Sequence, residues 1–143
     1  MKFKDFLNES AKTTVQPKTK DELKKIIEKT IKEQGNKCDL NFIDTSKIKD
    51  MSKLFLSSEF NNDISKWNVS KVKNMSWMFA DSEFNNDISK WNVSNVKKMV
   101  GMFEFSRFNK DISKWDVSNV KDMSEMFKRS QLEGNEPDWY KIK

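Results

Sequence analysis

The sequence predicts an α/β repeat solenoid whose coils each hold a short strand and a short helix, with one parallel sheet and an N-terminal capping helix. Three observations carry that expectation. Several residue columns recur together at a step of 24. Within each unit a β-branched and aromatic stretch precedes a run of helical apolar spacing. Ahead of the first unit lies an amphipathic segment flanked by helix-capping residues.

The columns come first, because a fixed period decides the architecture. Trp67, Trp91 and Trp115 are 24 apart, and Trp139 keeps the step. So do Met51, Met75, Met99 and Met123, and Phe55, Phe79, Phe103 and Phe127. Phe60, Phe84, Phe108 and Leu132 form a further column, and Leu40, Ile64, Ile88 and Ile112 another. A weaker unit from Cys38 to Phe55, with Ile43 in the tryptophan position, precedes the three strong ones. One coil buries too little apolar surface to offset the entropy of ordering it, so the units must stack. The chain then divides into a targeting peptide and flexible linker (1–18), a capping helix (19–36), a four-coil solenoid (37–132) and a C-terminal cap (133–143).

Each unit divides in two. Asp63-Ile64-Ser65-Lys66-Trp67 has strand character. From Ser70 the apolar residues fall at Val72, Met75, Met78 and Phe79, a helical spacing of about two turns. Ser46, Ser70, Ser94 and Ser118 stand where helix N-caps belong. A strand and a helix in 24 residues match the size of a leucine-rich-repeat coil. With only 3 glycines and 2 prolines, tight turns fall to Asn, Asp and Ser. In the capping segment, Thr19 and Glu22 read as a capping box, Leu23, Ile26, Ile27, Thr30 and Ile31 share one helical face, and Gly35 ends the helix.

The string Asn86-Asp87-Ile88-Ser89-Lys90-Trp91-Asn92-Val93-Ser94-Asn95-Val96, continuing to Met99 and Met102-Phe103, resembles the BspA-like leucine-rich-repeat family of bacterial surface proteins. The resemblance covers about residues 37–132. It implies a right-handed solenoid with a parallel sheet on one face, and a role in adhesion or protein binding. Many members are secreted or lipid-anchored, whereas this chain has neither a signal peptide nor a lipobox cysteine, so the expectation is a start in the cytoplasm of the producing cell.

Residues 1–10 carry a separate signal. Phe3, Phe6 and Leu7 share a face of a short helical segment, and a polar stretch containing Pro17 follows. Leu7-Asn8-Glu9-Ser10 resembles the capsid-targeting peptides of internal head proteins in tailed bacteriophages. That resemblance implies contact with capsid scaffold, cleavage by a prohead protease between Glu9 and Ser10, packaging in the phage head and delivery to the host cytoplasm. The first residue of the mature chain reports on the cleavage.

Composition narrows the chemistry. There is no histidine and one cysteine, which removes histidine triads, histidine metal ligands and an intramolecular disulfide. No apolar run is long enough to cross a membrane. No catalytic constellation is visible and no cofactor is expected, so the predicted function is non-enzymatic protein binding. Stacking turns the remaining columns into ladders: Asp63, Asp87 and Asp111; Ser65, Ser89 and Ser113; Lys66, Lys90 and Lys114. These are the candidate binding residues, on the exposed face of the expected sheet. Trp77 joins them because its equivalents, Lys53, Gly101 and Glu125, all suit exposure. Two alternatives remain: a surface-adhesion repeat protein, and a basic nucleic-acid-binding or packaging protein. A lysine column at 49, 73, 97 and 121 supports the latter. Without an aromatic presented for base stacking, nucleic acid ranks below a protein partner.

Overall fold

The computed structural model describes residues 14–142. The helix predicted from the capping residues is present as α1 (Lys20–Gln34). The Thr19 hydroxyl accepts from the Glu22 N–H at 3.2 Å. The Glu22 carboxylate reaches back, but to the N–H of Lys18 rather than of Thr19. Gly35, at φ 90°, closes the helix and its N–H donates to the Ile31 carbonyl. Leu23, Ile27 and Thr30 are the buried face. Leu23 and Ile27 belong to the same apolar cluster as the columns that follow. A second, short helix, α2 (Asp138–Ile142), lies at the other end.

Between the two helices the expected α/β architecture is absent. Among the described residues there is no strand and no sheet, and the helices cover only 15 and 5 residues. Parallel pairing is limited to isolated bridges, Asp50 to Asn74, Asn74 to Lys98 and Lys98 to Asp122, with Val15 to Ile43 at the start. Each coil is instead a chain of tight turns. The segment read as a strand is one of them: the Ser65 N–H bonds the Asp63 carboxylate, and Trp67 N–H bonds the Ile64 carbonyl. The segment read as a helix is a run of them. Met78 N–H bonds Met75 O and Ala80 N–H bonds Trp77 O, three residues apart rather than four. Positive φ at Trp77 (55°) and Asp81 (53°) breaks any helical continuation.

The physical reason lies in where the backbone groups find partners. Met75, Trp77, Phe79 and Asp81 donate their N–H groups to Lys98, Val100, Met102 and Glu104 on the next coil, at 2.8–3.0 Å. The preceding coil does the same from Met51, Lys53, Phe55 and Ser57, and the following one from Met99, Gly101, Phe103 and Phe105. Alternate N–H groups thus leave the coil instead of closing helical rings; the carbonyls of Met75 and Trp77 accept the local turn bonds, while those between them, of Ser76, Met78 and Ala80, accept from the preceding coil. The apolar residues still point inward every three or four positions, so the periodicity survives without the helix.

Side chains lock the stack. Phe55, Phe79, Phe103 and Phe127 lie nearly parallel, with centroids 5.5–5.8 Å apart. Every indole of the tryptophan column donates to a carbonyl 27 residues earlier: Trp67 to Leu40, Trp91 to Ile64, Trp115 to Ile88 and Trp139 to Ile112, at 3.0–3.1 Å. The latter half of the segment read as a linker is docked. Val15 exchanges backbone bonds with Phe42 and Asp44 on the first coil.

Candidate functional site

The Asp and Ser columns that the sequence offers as a binding face perform a local task. In Asp63, Asp87 and Asp111 one carboxylate oxygen accepts the N–H of Ser65, Ser89 and Ser113, each at 2.8 Å. This is an Asx turn, in which a short side chain replaces a backbone acceptor. Two more such corners occur in the coils. Asp44, Asn68, Asn92 and Asp116 accept from Ser46, Ser70, Ser94 and Ser118, which are therefore turn donors and not helix caps. Asn74 and Asp122 serve Ser76 and Ser124 in the same way.

There is accordingly no sheet face for these residues to line; they form a corner of the stack. Lys66, Lys90 and Lys114 are exposed beside it. Between the second and third strong units the corner opens into a groove of about 490 Å³, lined by Asp87, Ser89, Lys90, Lys110, Asp111 and Lys114. The groove brings together two rungs of the predicted ladder. Phe3, Phe6, Leu7, Glu9 and Ser10 lie outside the described residues.

The turn bonds have an electrostatic consequence. Hydrogen bonds from the Ser65 hydroxyl and N–H hold Asp63 below the ordinary carboxylate value of 3.8. The Ser89 N–H and hydroxyl do the same for Asp87, and the Ser113 hydroxyl and N–H for Asp111. A carboxylate with a lowered folded pKa stabilises the fold above its unfolded pKa, and that contribution disappears as pH falls through the folded value. The loss is therefore expected below about pH 4. Asparagine already fills equivalent corners at 68 and 92, so it can accept the same bond without a charge. Replacing Asp63, Asp87 and Asp111 together by Asn is expected to leave the melting temperature near wild type at pH 7 and to flatten its decline between pH 5 and 2.5. Circular dichroism melts check this; an unchanged acid decline in the variant would show that these corners do not carry it.

The other predicted residue, Trp77, occupies a more unusual setting. It is 37% exposed and sits in the left-handed region at φ 55°. Its ring has the Lys53 ammonium 5.5 Å from the centroid. On the next coil it lies against Gly101, where an added Cβ would come within 2.5 Å of the indole nitrogen. Position 101 is the one glycine of a column whose members are all left-handed: Lys53, Trp77, Gly101 and Glu125. The glycine thus provides the space into which the tryptophan leans.

Two further residues that the sequence reading passed over are large, apolar and exposed. Leu56 is 43% exposed and Phe105 48%. Leu56, Trp77 and Phe105 belong to equivalent turn segments of three successive coils, 51–58, 75–82 and 99–106. The Arg129 guanidinium lies 5.6 Å from the Phe105 centroid, as Lys53 does over Trp77. The signal was available: Leu56 interrupts a column of Ala80, Glu104 and Lys128, and Phe105 one of Ser57, Asp81 and Arg129. They break their columns as Trp77 does.

No group of three or more His, Cys, Asp or Glu side chains among the described residues is placed to hold a metal ion. Cys38 is buried, and that burial pushes its thiol up to about 11, far from the thiolate needed of a nucleophile. No helix among the described residues is long and apolar enough to cross a membrane.

A family model described as "Mycoplasma protein of unknown function, DUF285" matches residues 22–139. No curated protein and no solved structure matches the chain.

Proposed function

We propose that this chain, which belongs to the DUF285 family, is a non-enzymatic module that binds another protein through the turn face bearing Leu56, Trp77 and Phe105. The observation that carries the reading is the exposure of these three large apolar side chains on equivalent segments of consecutive coils. Packing does not explain them. Their equivalents elsewhere in the columns are small, polar or charged, and the coils stack equally well around those. Interfaces concentrate their energy in Trp, Tyr and Arg flanked by less important contacts. Here a tryptophan and a phenylalanine each carry a stacked cation, an arrangement that suits an apolar pocket with an acidic rim on the partner. The resemblance of the repeat string to BspA-like proteins points to the same class of activity.

The Asp, Ser and Lys corner is the lesser contact surface in this reading, since its acids are already engaged in turns. The test compares partners captured from the natural host by the wild-type chain and by Trp77→Ala. A protein bound through this face is expected to lose about 30-fold or more in affinity, the effect of truncating a hot-spot residue. Trp77→Ala should melt within a few degrees of wild type. A captured partner whose affinity is unchanged in Trp77→Ala, Leu56→Ser and Phe105→Ser alike would remove the turn face from consideration.

A further inference from the structure

The lysine column at 49, 73, 97 and 121 is placed on one line by the backbone. Lys73 N–H donates to Lys49 O, Lys97 to Lys73 O and Lys121 to Lys97 O, each at 2.8 Å. The four side chains therefore start from successive rungs, about 4.8 Å apart by the spacing of hydrogen-bonded chains, and span roughly 15 Å. All four are exposed, and Lys47 and Lys71 add a second exposed row beside them. None of the six lies within ion-pair distance of a carboxylate among the described residues; the ion pairs there engage Lys20, Arg107 and Lys128.

Two readings suggested by the sequence fall away. No helix begins at Lys73, Lys97 or Lys121, and Lys49 lines a groove shared with Thr19 and Lys20 at the start of α1. The apolar residues interleaved with them, Ile48 and Val72, are buried at 1% and 0%, so most of the edge offers charge without an apolar anchor; at its end Lys121 borders a pocket with Val120, Met123 and the half-buried Tyr140. Like charges held in a straight ladder repel, and a partner that relieves this must bring negative charge at regular intervals. An acidic peptide needs apolar side chains to fix its register, and along Lys49, Lys73 and Lys97 the neighbouring apolar residues Ile48, Val72 and Val96 are buried and offer no place for them. A phosphodiester chain carries a charge on every unit and binds through that backbone alone, with the bases uninvolved.

We propose that the Lys49–Lys73–Lys97–Lys121 edge is a sequence-independent binding site for the phosphodiester backbone of a nucleic acid. The site is separate from the turn face and stands independently of the protein partner proposed there.

The test is fluorescence anisotropy of the full chain with a labelled 20-nucleotide oligothymidine, at salt concentrations from 50 to 200 mM. With four phosphates engaged, the log–log salt slope is expected near −2.8, a weakening of about 50-fold across that range. Parallel titrations with RNA of equal length and with duplex DNA identify the source of the phosphodiester; for the duplex the slope is expected near −3.6. The variant Lys49→Gln/Lys73→Gln/Lys97→Gln should lose at least tenfold in affinity and about 2 units of single-strand slope. A control with the same charge change, Lys25→Gln/Lys32→Gln/Lys37→Gln, should keep the slope. Circular dichroism confirms that both variants fold. Absence of salt-sensitive binding to all three nucleic acids overturns the proposal. So does equal loss in the two variants, which would reduce the effect to net charge. Displacement of the strand by poly-glutamate at matched charge concentration would overturn it in favour of an acidic protein partner.

Discussion

Replacing Trp91 by Ala is expected to destabilise the protein by about 3–5 kcal/mol, the range for removing a buried tryptophan. That is a large fraction of the roughly 5–15 kcal/mol by which a domain is stable. Trp91 is 4% exposed and packs with Phe79 at 6.2 Å between centroids. Its indole also donates to the Ile64 carbonyl at 3.1 Å, and Ile64 is itself fully buried. The truncation leaves a cavity between two coils and a buried carbonyl without its donor. The two costs separate in Trp91→Phe, which keeps most of the ring and loses the hydrogen bond; about 1–3 kcal/mol is expected there. Trp139 makes the same bond to Ile112 but is only half-buried at the end of the stack, so Trp139→Ala should cost clearly less. Urea unfolding of the three variants measures the series. A Trp91→Ala midpoint within error of wild type would show that the column is a passenger rather than the element joining the coils.

That column was legible before the structure, and its hydrogen bond was not. A 24-residue period in Trp, Met, Phe and Ile requires equivalent environments, and all four types are buried as expected. The capping signals at Thr19 and Gly35 also read correctly, because they act over four residues and need no tertiary context, while Glu22 reaches back one residue further than the capping box predicts. The scarcity of glycine and proline implied turns made by Asn, Asp and Ser, and the coils are built from such turns. What failed was the step from spacing to backbone. Val72, Met75, Met78 and Phe79 fit a helix, yet they equally fit a run of three-residue turns whose spare N–H groups bond the neighbouring coil. Apolar spacing records which residues face inward, not where the backbone donors go. The left-handed positions that decide the matter carry almost no signal, since Lys53, Trp77, Glu125 and Arg129 adopt them as Gly101 does.

The candidate site divides on the same line. Asp63 to Ser65 and Asn68 to Ser70 have the two-residue spacing of an Asx turn, so the Asp column could have been read as structural from sequence. The turn face was half legible: residues that interrupt a repeating column and are large and apolar mark it, and only Trp77 was taken up. The setting of Trp77 was not legible, because its ring lies against a glycine 24 positions away.

Substitution of Gly101 by Ala tests that dependence, and about 2–4 kcal/mol of destabilisation is expected. Part of it is conformational: Gly101 has φ 57°, which costs an L-residue roughly 1–2 kcal/mol. The remainder is steric. A Cβ at 101 would lie 2.5 Å from the Trp77 indole nitrogen, 2.6 Å from its Cδ1 and 3.0 Å from a Glu104 carboxylate oxygen. Overpacking of this kind adds about 1–3 kcal/mol unless the ring moves. The two parts are separable, since Trp77→Ala removes the ring and leaves the backbone term. Gly101→Ala made in the Trp77→Ala background should therefore cost less than in wild type, with a coupling of at least about 1 kcal/mol in the double-mutant cycle. Where the single variant stays folded it will have moved the indole, and its affinity for a protein partner should fall although residue 101 contributes no side chain of its own. Additive costs within about 0.3 kcal/mol, together with unchanged partner binding, would mean that Gly101 serves only its own turn. Trp77 would then be exposed by default, and its place at the centre of the proposed interface would lose its structural support.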